Sequence, residues 1–206
     1  MNPLEAGWIA WNLERAGLNV SLSHEQEERL TLFFKIRAQW SKTHNLSGPQ
    51  ALLRLGTDLA DAVAAWLSID PSTPLVDVGS GSGVPGLLIG CLNPDQTIHL
   101  VEPAAKRCAF LRTALYQIQC TKVSVHRMRW PYNPRKDRSC VQVISRAVVS
   151  PQIWPPLADQ PFVSSIIQML ALERPQWPLD QWQLVTETHY VDPEGGERLI
   201  RRWSRQ

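Results

Sequence analysis

The spacing of hydrophobic residues changes character near residue 75 of this chain. Before that point, apolar residues recur every three or four positions, which predicts helices across residues 3–69. Ser23 and Gln26 fit a capping box that opens one of these helices, and another begins after Gly48-Pro49. The first part of the chain is therefore predicted to be helical.

From residue 75 onward, short apolar runs alternate with segments of helical period. The predicted strands are 75–78, 97–101, 122–126, 141–145, 163–170, 183–189 and 198–203. Helices are predicted at 85–92 and 104–118, and loops at 127–139 and 171–182. This alternation predicts right-handed crossovers and an α/β fold with a largely parallel sheet. We therefore divide the chain into an N-terminal helical extension, 1–69, and an α/β domain, 70–206.

Composition narrows the class of protein without choosing a function. The chain has 206 residues, of which 44% are hydrophobic, so it can form a packed core. Its net charge of +2 means that any nucleic-acid site must be a local patch. The four cysteines form no C-x-x-C pair, so we expect buried, reduced thiols and no metal site. No signal peptide or membrane-spanning run is visible, and a cytoplasmic protein is expected.

The most informative segment is glycine-rich and reads L-V-D-V-G-S-G-S-G-V-P-G over residues 75–86. It predicts a strand followed by a turn in which glycines let the backbone lie close to a cofactor. Asp77 favours S-adenosylmethionine, since loops for that cofactor commonly carry an acid here, near its ammonium group. The last three glycines also fit the dinucleotide spacing G-x-G-x-x-G, with Glu102 as a ribose ligand. A glycine turn without a ligand is the third interpretation.

Ligands of open parallel sheets bind beyond the carboxyl ends of the strands. That rule selects the glycine loop, Glu102 after the second strand, and Ser145-Arg146 after the fourth. Glu102 is interpreted as a ribose ligand or as a solvated acid at a strand end. Arg146 is interpreted as a ligand for substrate or phosphate, or as a member of a surface salt bridge.

Together these segments resemble the RsmG (GidB) family, bacterial methyltransferases that modify a guanine N7 in the 530 loop of 16S ribosomal RNA. Residues 40–47 are similar to its W-N-K-x-x-N-L-T signature, and residues 77–86 to its D-V-G-S-G-x-G-x-P-G loop. Residues 102–111 resemble its D-S-x-x-K-R-x-x-F-L run, residues 145–147 match S-R-A, and residues 196–198 match G-E-R. These matches fall in the family's order and span most of the chain.

The resemblance implies a Rossmann-like class I methyltransferase sheet with helices on both faces. It also implies S-adenosyl-L-methionine as cofactor, 16S rRNA or the 30S subunit as partner, and a cytoplasmic monomer. The implied cofactor contacts are Asp77, Gly79, Ser80, Gly81, Gly83, Pro85, Gly86, Glu102, Arg127, Met128 and Arg146. The implied substrate side comprises Lys106, Arg107, Arg146 and Arg198. No general base is expected, because guanine N7 has a free lone pair and no proton to lose.

The chain departs from the family pattern at three places. Residues 127–130 read R-M-R-W where the family has an acid-bearing R-x-E-E segment that helps to hold the adenine. Glu173 stands where the family has a lysine, which replaces a cation near the RNA by an anion. The family's H-x-x-D-S segment lacks its histidine here, and Asp61 or Asp58 holds the acid position. A methyltransferase with another acceptor, or a catalytically silent RNA- or ribosome-binding protein, are therefore the alternatives.

Other nucleic-acid chemistries and contacts can be weighed from single residues. Residues 130–134 echo the N-P-P-Y tetrad of amino-group methyltransferases but precede the fourth strand, and Cys140 is expected to be a buried thiol rather than a nucleophile. RNA contacts are predicted among Lys42, His44, Arg127, Arg129, Arg146, Arg198 and the tail 201–205, with solvated surface charge as the alternative. The core is expected to hold Trp8, Trp11, Trp40 and Trp66.

Overall fold

The helices and strands follow the predicted alternation in a computed structural model that describes residues 5, 7–44, 54–131, 133, 139–146, 148–171 and 181–206. Its helices are α1 (Trp8–Arg15), α2 (His24–His44), α3 (Leu55–Ser68), α4 (Gly86–Leu92), α5 (Ala105–Ile118) and α6 (Trp154–Ala158). Its strands are β1 (Leu75–Val78), β2 (Ile98–Val101), β3 (Val123–His126), β4 (Val141–Ser145), β5 (Val163–Leu170), β6 (Trp182–Val191) and β7 (Glu197–Arg205). Outside the described residues lie the predicted features at Gly48-Pro49, Tyr132, Ala147 and Glu173, together with the side chain of His44.

The seven strands form one sheet in the order β3-β2-β1-β4-β5-β7-β6. The first five strands in this order are parallel, and β7 pairs antiparallel with both β5 and β6. In the register, Asp77 lies between Leu100 of β2 and Ile144 of β4. The carboxyl ends of these three strands therefore meet at one edge, as the predicted Rossmann-like α/β fold requires.

Two clusters of buried residues cover the two faces of the sheet. The larger cluster joins α1–α5 to one face, where Phe33, Leu59, Leu88 and Phe110 are fully buried. The smaller cluster lies on the other face and includes Trp154 of α6. Side chains alternate between faces along a strand, so neighbouring residues of β1 belong to different clusters. The prediction of helices on both faces is confirmed.

The N-terminal helices pack directly on the sheet domain. The predicted capping box is confirmed: the Ser23 backbone N–H donates to Gln26 Oε1 at 2.8 Å, and the Gln26 N–H donates to Ser23 Oγ at 3.2 Å. Gln26 also donates to the Leu92 carbonyl at the end of α4, at 2.6 Å. Helices α1–α3 share one apolar core with α4 and α5. The division at residue 69 remains a prediction about sequence organisation.

Two expectations about burial are wrong. Trp11 is 40% exposed, because it lies on the outer side of α1 with the Arg15 guanidinium 4.8 Å above its ring. Cys140 is exposed, because it precedes β4 rather than lying inside it, whereas Cys91, Cys108 and Cys120 are buried as expected. Helix α6 was not predicted. No helix in the described ranges combines the length and apolar character needed to cross a membrane.

Candidate active site

The loop after β1 approaches its surroundings so closely that glycine is required at two positions. Gly79 has φ +74°, and a Cβ added there would lie 2.1 Å from Val148 Cγ2. Gly83 has φ +88°, and an added Cβ would lie 3.1 Å from both Leu87 and Phe33. Side chains other than glycine rarely adopt such φ values. The loop is thus held between the start of α4, α2 and the segment after β4.

Replacing Gly79 by alanine is expected to lower the free energy of unfolding by about 2–3 kcal/mol, from a left-handed backbone together with overlap on Val148. Gly81→Ala is the matched control, since φ is +56° there but the nearest atom is 3.7 Å away. Urea unfolding should show a loss of about 1 kcal/mol for the control. Adding Val148→Ala to the Gly79 variant should recover the overlap part. Equal losses at the two glycines would contradict the contact.

Asp77 lies beneath this loop and is fully buried. Its Oδ2 accepts a hydrogen bond from the Gly86 N–H at 3.1 Å, and Oδ1 has no hydrogen-bond partner among the described residues. Burial raises the pKa of the Asp77 carboxyl to about 7, although the Gly86 N–H, Ser80 and Arg146 favour the charged form. A buried carboxylate with one oxygen unpartnered is suited to a cationic group of a ligand.

Glu102 at the end of β2 is also buried, which excludes the interpretation as a solvated acid. Its Oε2 accepts a hydrogen bond from the Gly81 N–H at 3.0 Å, and its Oε1 accepts one from the Ala104 N–H at 2.8 Å. The Arg107 guanidinium lies 3.8 Å from Oε2. Each carboxylate oxygen keeps a second lone pair, so Glu102 can hold the loop and accept hydroxyl donors together.

Arg146, directly after β4, is held by two carboxylates of α3. Its Nη1 donates to Asp58 Oδ1 at 2.5 Å and to Asp61 Oδ2 at 2.9 Å. Burial opposes its charge, but these two carboxylates raise the pKa of Arg146 above its ordinary value. The side chain is 26% exposed, and its bonds to described residues all leave from Nη1. Arg146 can therefore present its remaining donors at the site's edge.

The two carboxylates that hold Arg146 extend the network into the core. Asp58 Oδ2 accepts a hydrogen bond from Arg37 Nη1 at 2.5 Å, and Asp61 Oδ1 accepts one from the Tyr190 hydroxyl at 2.7 Å. Burial and the nearby Asp61 raise the pKa of Tyr190 far above its ordinary value, so the hydroxyl stays protonated. The network joins α2, α3, β6 and the end of β4. It combines two cations and two anions.

The other predicted cofactor contacts lie at the same edge. Ser80 Oγ donates to the Asp77 carbonyl at 2.9 Å, and Pro85 directly precedes α4. Arg127 and Met128 follow β3 and are exposed, with the Met128 N–H donating to the His126 carbonyl at 3.0 Å. These positions agree with the predicted cofactor edge, although their roles remain predictions.

The predicted substrate-side cations are less uniform. Lys106 and Arg107 are exposed in the first turn of α5, beside Glu102. Arg198 instead donates two hydrogen bonds to Asp192 Oδ2, at 2.9 and 2.7 Å, and lines a separate cavity of about 400 Å³ with Tyr190 and Glu197. The structure thus groups Arg146, Lys106 and Arg107 more clearly with the glycine loop than it does Arg198.

The C-terminal tail is engaged with the rest of the chain. Arg201 donates to Glu187 at 2.7 Å, and Arg205 donates to Asp159 at 2.6 Å while its guanidinium lies 4.6 Å from the Trp182 ring. Trp130, the aromatic residue beside two predicted RNA-binding arginines, donates to the Leu157 carbonyl at 2.9 Å and packs against Phe162. The contacts of these residues are structural ones.

Sequence reasoning missed Arg37, Tyr190 and Val148 as supports of the site. Arg37 lies three residues before Trp40, within a helix that displays no other buried charge, and a lone cation on the apolar face of a predicted helix was the available signal. Val148 follows the Ser145-Arg146-Ala147 motif by one residue. Tyr190 gave no signal, because its partner Asp61 is 129 positions away.

Among the described residues, no group of three or more His, Cys, Asp or Glu side chains could hold a metal ion. The site therefore consists of a glycine loop, two buried acids and a braced arginine at the carboxyl edge of a parallel sheet. Such an arrangement can bind and align a cofactor and a substrate without a metal from these side chains.

The chain is similar in sequence to proteins of one named family. The family model described as rRNA small subunit methyltransferase G (GidB) matches residues 26–192. Ribosomal RNA small subunit methyltransferase G of Dichelobacter nodosus is 32% identical over 139 residues, which cover 65% of this chain and 63% of that protein. The protein of the same name from Desulfotalea psychrophila is 29% identical over 164 residues, covering 78% and 75%. The match to the first of these relatives spans a little under two thirds of its length.

Solved structures with related folds support the architecture. TrmK of M. capricolum, in complex with S-adenosyl-homocysteine, superposes with a TM-score of 0.53 at 9% identity, covering 68% of this chain and 66% of that one. TrmN of Thermus thermophilus superposes with a TM-score of 0.50 at 11% identity, covering 72% and 49%. At such identities the likeness concerns the fold alone. The family match over residues 26–192 goes further, and the chain belongs to the rRNA small subunit methyltransferase G (GidB) family.

Proposed function

We propose that this protein transfers the methyl group of S-adenosylmethionine to N7 of a guanine in the 530 loop of 16S rRNA. We further propose that it acts as a cytoplasmic monomer on the RNA or the 30S subunit. The observation that carries the proposal is the meeting of the glycine loop, buried Asp77 and Glu102, and Arg146 at one edge of the sheet. The chain's membership of a methyltransferase family supports it.

The residues of the loop fit this cofactor at both of its ends. Asp77 offers a buried carboxylate oxygen without a partner, which suits an ammonium group, and Glu102 offers acceptor lone pairs for the two hydroxyls of a ribose. Gly79 and Gly81 leave backbone without side chains in front of these acids. Met128 and Val148 are exposed apolar residues at the same edge and suit the flat face of an adenine.

Alignment is the main task of the protein in this reaction. Bound S-adenosylmethionine supplies a methyl group on a sulfonium, which a nucleophile displaces in line. Guanine N7 carries its own lone pair, so no side chain has to remove a proton. Arg146, fixed by Asp58 and Asp61, can donate to a carbonyl or phosphate oxygen of the RNA and orient the base. Lys106 and Arg107 contribute positive charge beside the loop.

The test combines a binding and a product measurement. Calorimetric titration with S-adenosylmethionine should give binding in the micromolar range, and NAD should not bind. Primer extension on 16S rRNA after borohydride and aniline treatment should show a stop at the modified guanine, which deletion of the gene removes and this chain restores. An unchanged stop after deletion would reject the rRNA assignment.

The same preparation separates the alternatives. Labelled methyl incorporation should appear in rRNA or the 30S subunit and be absent from small-molecule extracts. Incorporation into the extracts alone would indicate another acceptor, which the arginine at position 129 and Trp130 on the adenine side make worth testing. Absence of any cofactor binding would indicate a silent RNA-binding protein.

A further inference from the structure

The positive charge of this chain is concentrated in one segment that contains no acid. Residues 103–136 carry eight Lys or Arg residues and no Asp or Glu, so the remaining residues have a net charge of −6 within a chain of net charge +2. A segregation of this kind creates a local positive field that the overall charge conceals. The described part of the segment comprises α5, β3 and the residues just after β3.

The cations of this segment are exposed and largely free of internal partners. Lys106, Arg112, Arg127 and Arg129 are exposed, and no ion pair joins them to any other residue that the structure describes. Arg107 is the exception, with its contact of 3.8 Å to Glu102. The tail arginines, by contrast, are paired with acids of the protein. The exposed charge of the α5–β3 segment is therefore available to a partner.

The exposed residues of α5 also form a continuous stripe. Ala105, Ala109, Arg112 and Tyr116 recur at helical spacing and are all exposed, with Tyr116 86% exposed. The two alanines leave room for close approach to the helix, and Tyr116 offers an aromatic face one turn from a cation. The stripe rises about 16 Å along the helix, a length over which a nucleic-acid strand presents several phosphates.

Helix and strand ends meet at the candidate active site. Burial, and then the charge of Arg112, lower the pKa of His126, the last residue of β3, so Arg112 lies near this end of the strand. The Glu102 N–H donates to the His126 carbonyl at 3.1 Å. A polyanion lying along α5 is thus led to the edge where Glu102 and the glycine loop stand.

We propose that Lys106, Arg112, Tyr116, Arg127 and Arg129, the α5–β3 basic face, bind the phosphate backbone and one unstacked base of the RNA that flanks the modified nucleotide. Phosphates account for the need for several unpaired cations, and a base stacked on Tyr116 accounts for an aromatic residue that is almost fully exposed. This inference rests on the proposed function for the identity of the RNA. It requires only binding, and no methyl transfer.

The test uses the full chain with two charge reversals. Arg112→Glu with Arg129→Glu changes the face, and Lys35→Glu with Lys122→Glu is the control, because these lysines are exposed, lie on α2 and at the opposite end of β3, and change the net charge equally. Fluorescence anisotropy with a labelled 530-loop fragment of 16S rRNA is measured between 50 and 300 mM NaCl, roughly the range in which counterion release dominates. The face variant should bind about tenfold or more weakly at about 100 mM, with a salt slope reduced by about two.

Further arms keep the result interpretable. Tyr116→Ala should weaken binding without changing the salt slope, because it removes stacking and no charge. Both charge variants should keep the wild-type affinity for S-adenosylmethionine, which shows that they fold. Equal losses in the face and control variants would overturn the proposal, as would tighter binding of the wild type to phosphatidylserine vesicles than to RNA. Wild-type protein that binds RNA through this face but transfers no methyl group would reject the proposed function alone.

Discussion

Replacing Asp58 by asparagine is expected to lower the free energy of unfolding by about 3–5 kcal/mol, a large share of the stability of a domain of this size. Asp58 is the carboxylate partner of Arg37, whose side chain is only 2% exposed. Arg37 Nε already lacks a hydrogen-bond partner among the described residues. The substitution leaves a buried guanidinium without its countercharge, because no other acid in the described structure pairs with it. Urea unfolding followed by circular dichroism measures the loss.

Two comparisons isolate the buried charge as the cause. Asp61→Asn should cost about 1–2 kcal/mol, since Arg146 keeps Asp58 and the asparagine oxygen still accepts the Tyr190 hydroxyl. Arg37→Met in combination with Asp58→Asn should recover most of the loss, because a methionine fills the space without a charge. A coupling energy below about 0.5 kcal/mol in this double-mutant cycle would show that the pair is not the source of the destabilisation.

The strands of the sheet were predictable because their burial on both faces leaves short runs of apolar residues between turn signals. The runs at 75–78, 141–145 and 163–170 coincide with β1, β4 and β5, and the other strands differ from their predictions by one or two residues at their ends. The antiparallel placement of β7 between β5 and β6 was not predictable, because strand pairing depends on contacts far apart in sequence. Helix α6 escaped prediction because Pro155 and Pro156 indicate a loop, yet both fall in a first turn, where proline is tolerated.

The site divides in the same way between local and distant information. Asp77, the loop glycines and Glu102 follow one another along two neighbouring strands, so a rule about strand ends located them. The partners of Arg146 are 85 and 88 positions away, and neither spacing nor charge indicated that α3 would supply both carboxylates. The resemblance had left Asp61 and Asp58 as alternatives for one acid position. The structure shows that both bind Arg146, from successive turns of α3.

Burial of a charge recurs at this edge and has a consequence for stability. Asp77, with a pKa of about 7 against an ordinary value of 3.8, binds more protons in the folded than in the unfolded chain between these two values. Stability contributed by this group therefore falls as pH rises from about 4 to 7, and is constant above that range. The site retains an acid that destabilises the free protein at neutral pH. A function that uses the charged carboxylate explains why it is tolerated.

Asp77→Asn is accordingly expected to affect stability and cofactor binding in opposite directions. At pH 8 the variant should be more stable than the wild type by on the order of 3 kcal/mol, since each pKa unit corresponds to about 1.4 kcal/mol, and less than half of that gain should remain at about pH 5. At pH 7.5 its affinity for S-adenosylmethionine should be about 10–100-fold lower, because the charged partner of the ammonium group is lost. Thermal unfolding and calorimetry measure the two effects.

The pH dependence of binding then assigns the effect to the carboxylate of Asp77. Only about a tenth of the wild-type carboxyl is charged at pH 6, given a pKa of about 7, so the affinity should fall about eightfold between pH 7.5 and 6. The asparagine variant should change little over this interval and serves to subtract the titration of the cofactor's own amino group, whose pKa is about 8. Equal pH dependence in the two proteins would exclude Asp77 as the partner of the ammonium group. A wild type less stable than the variant would then reflect burial alone, and the acid would serve only to anchor the Gly86 N–H at the start of α4.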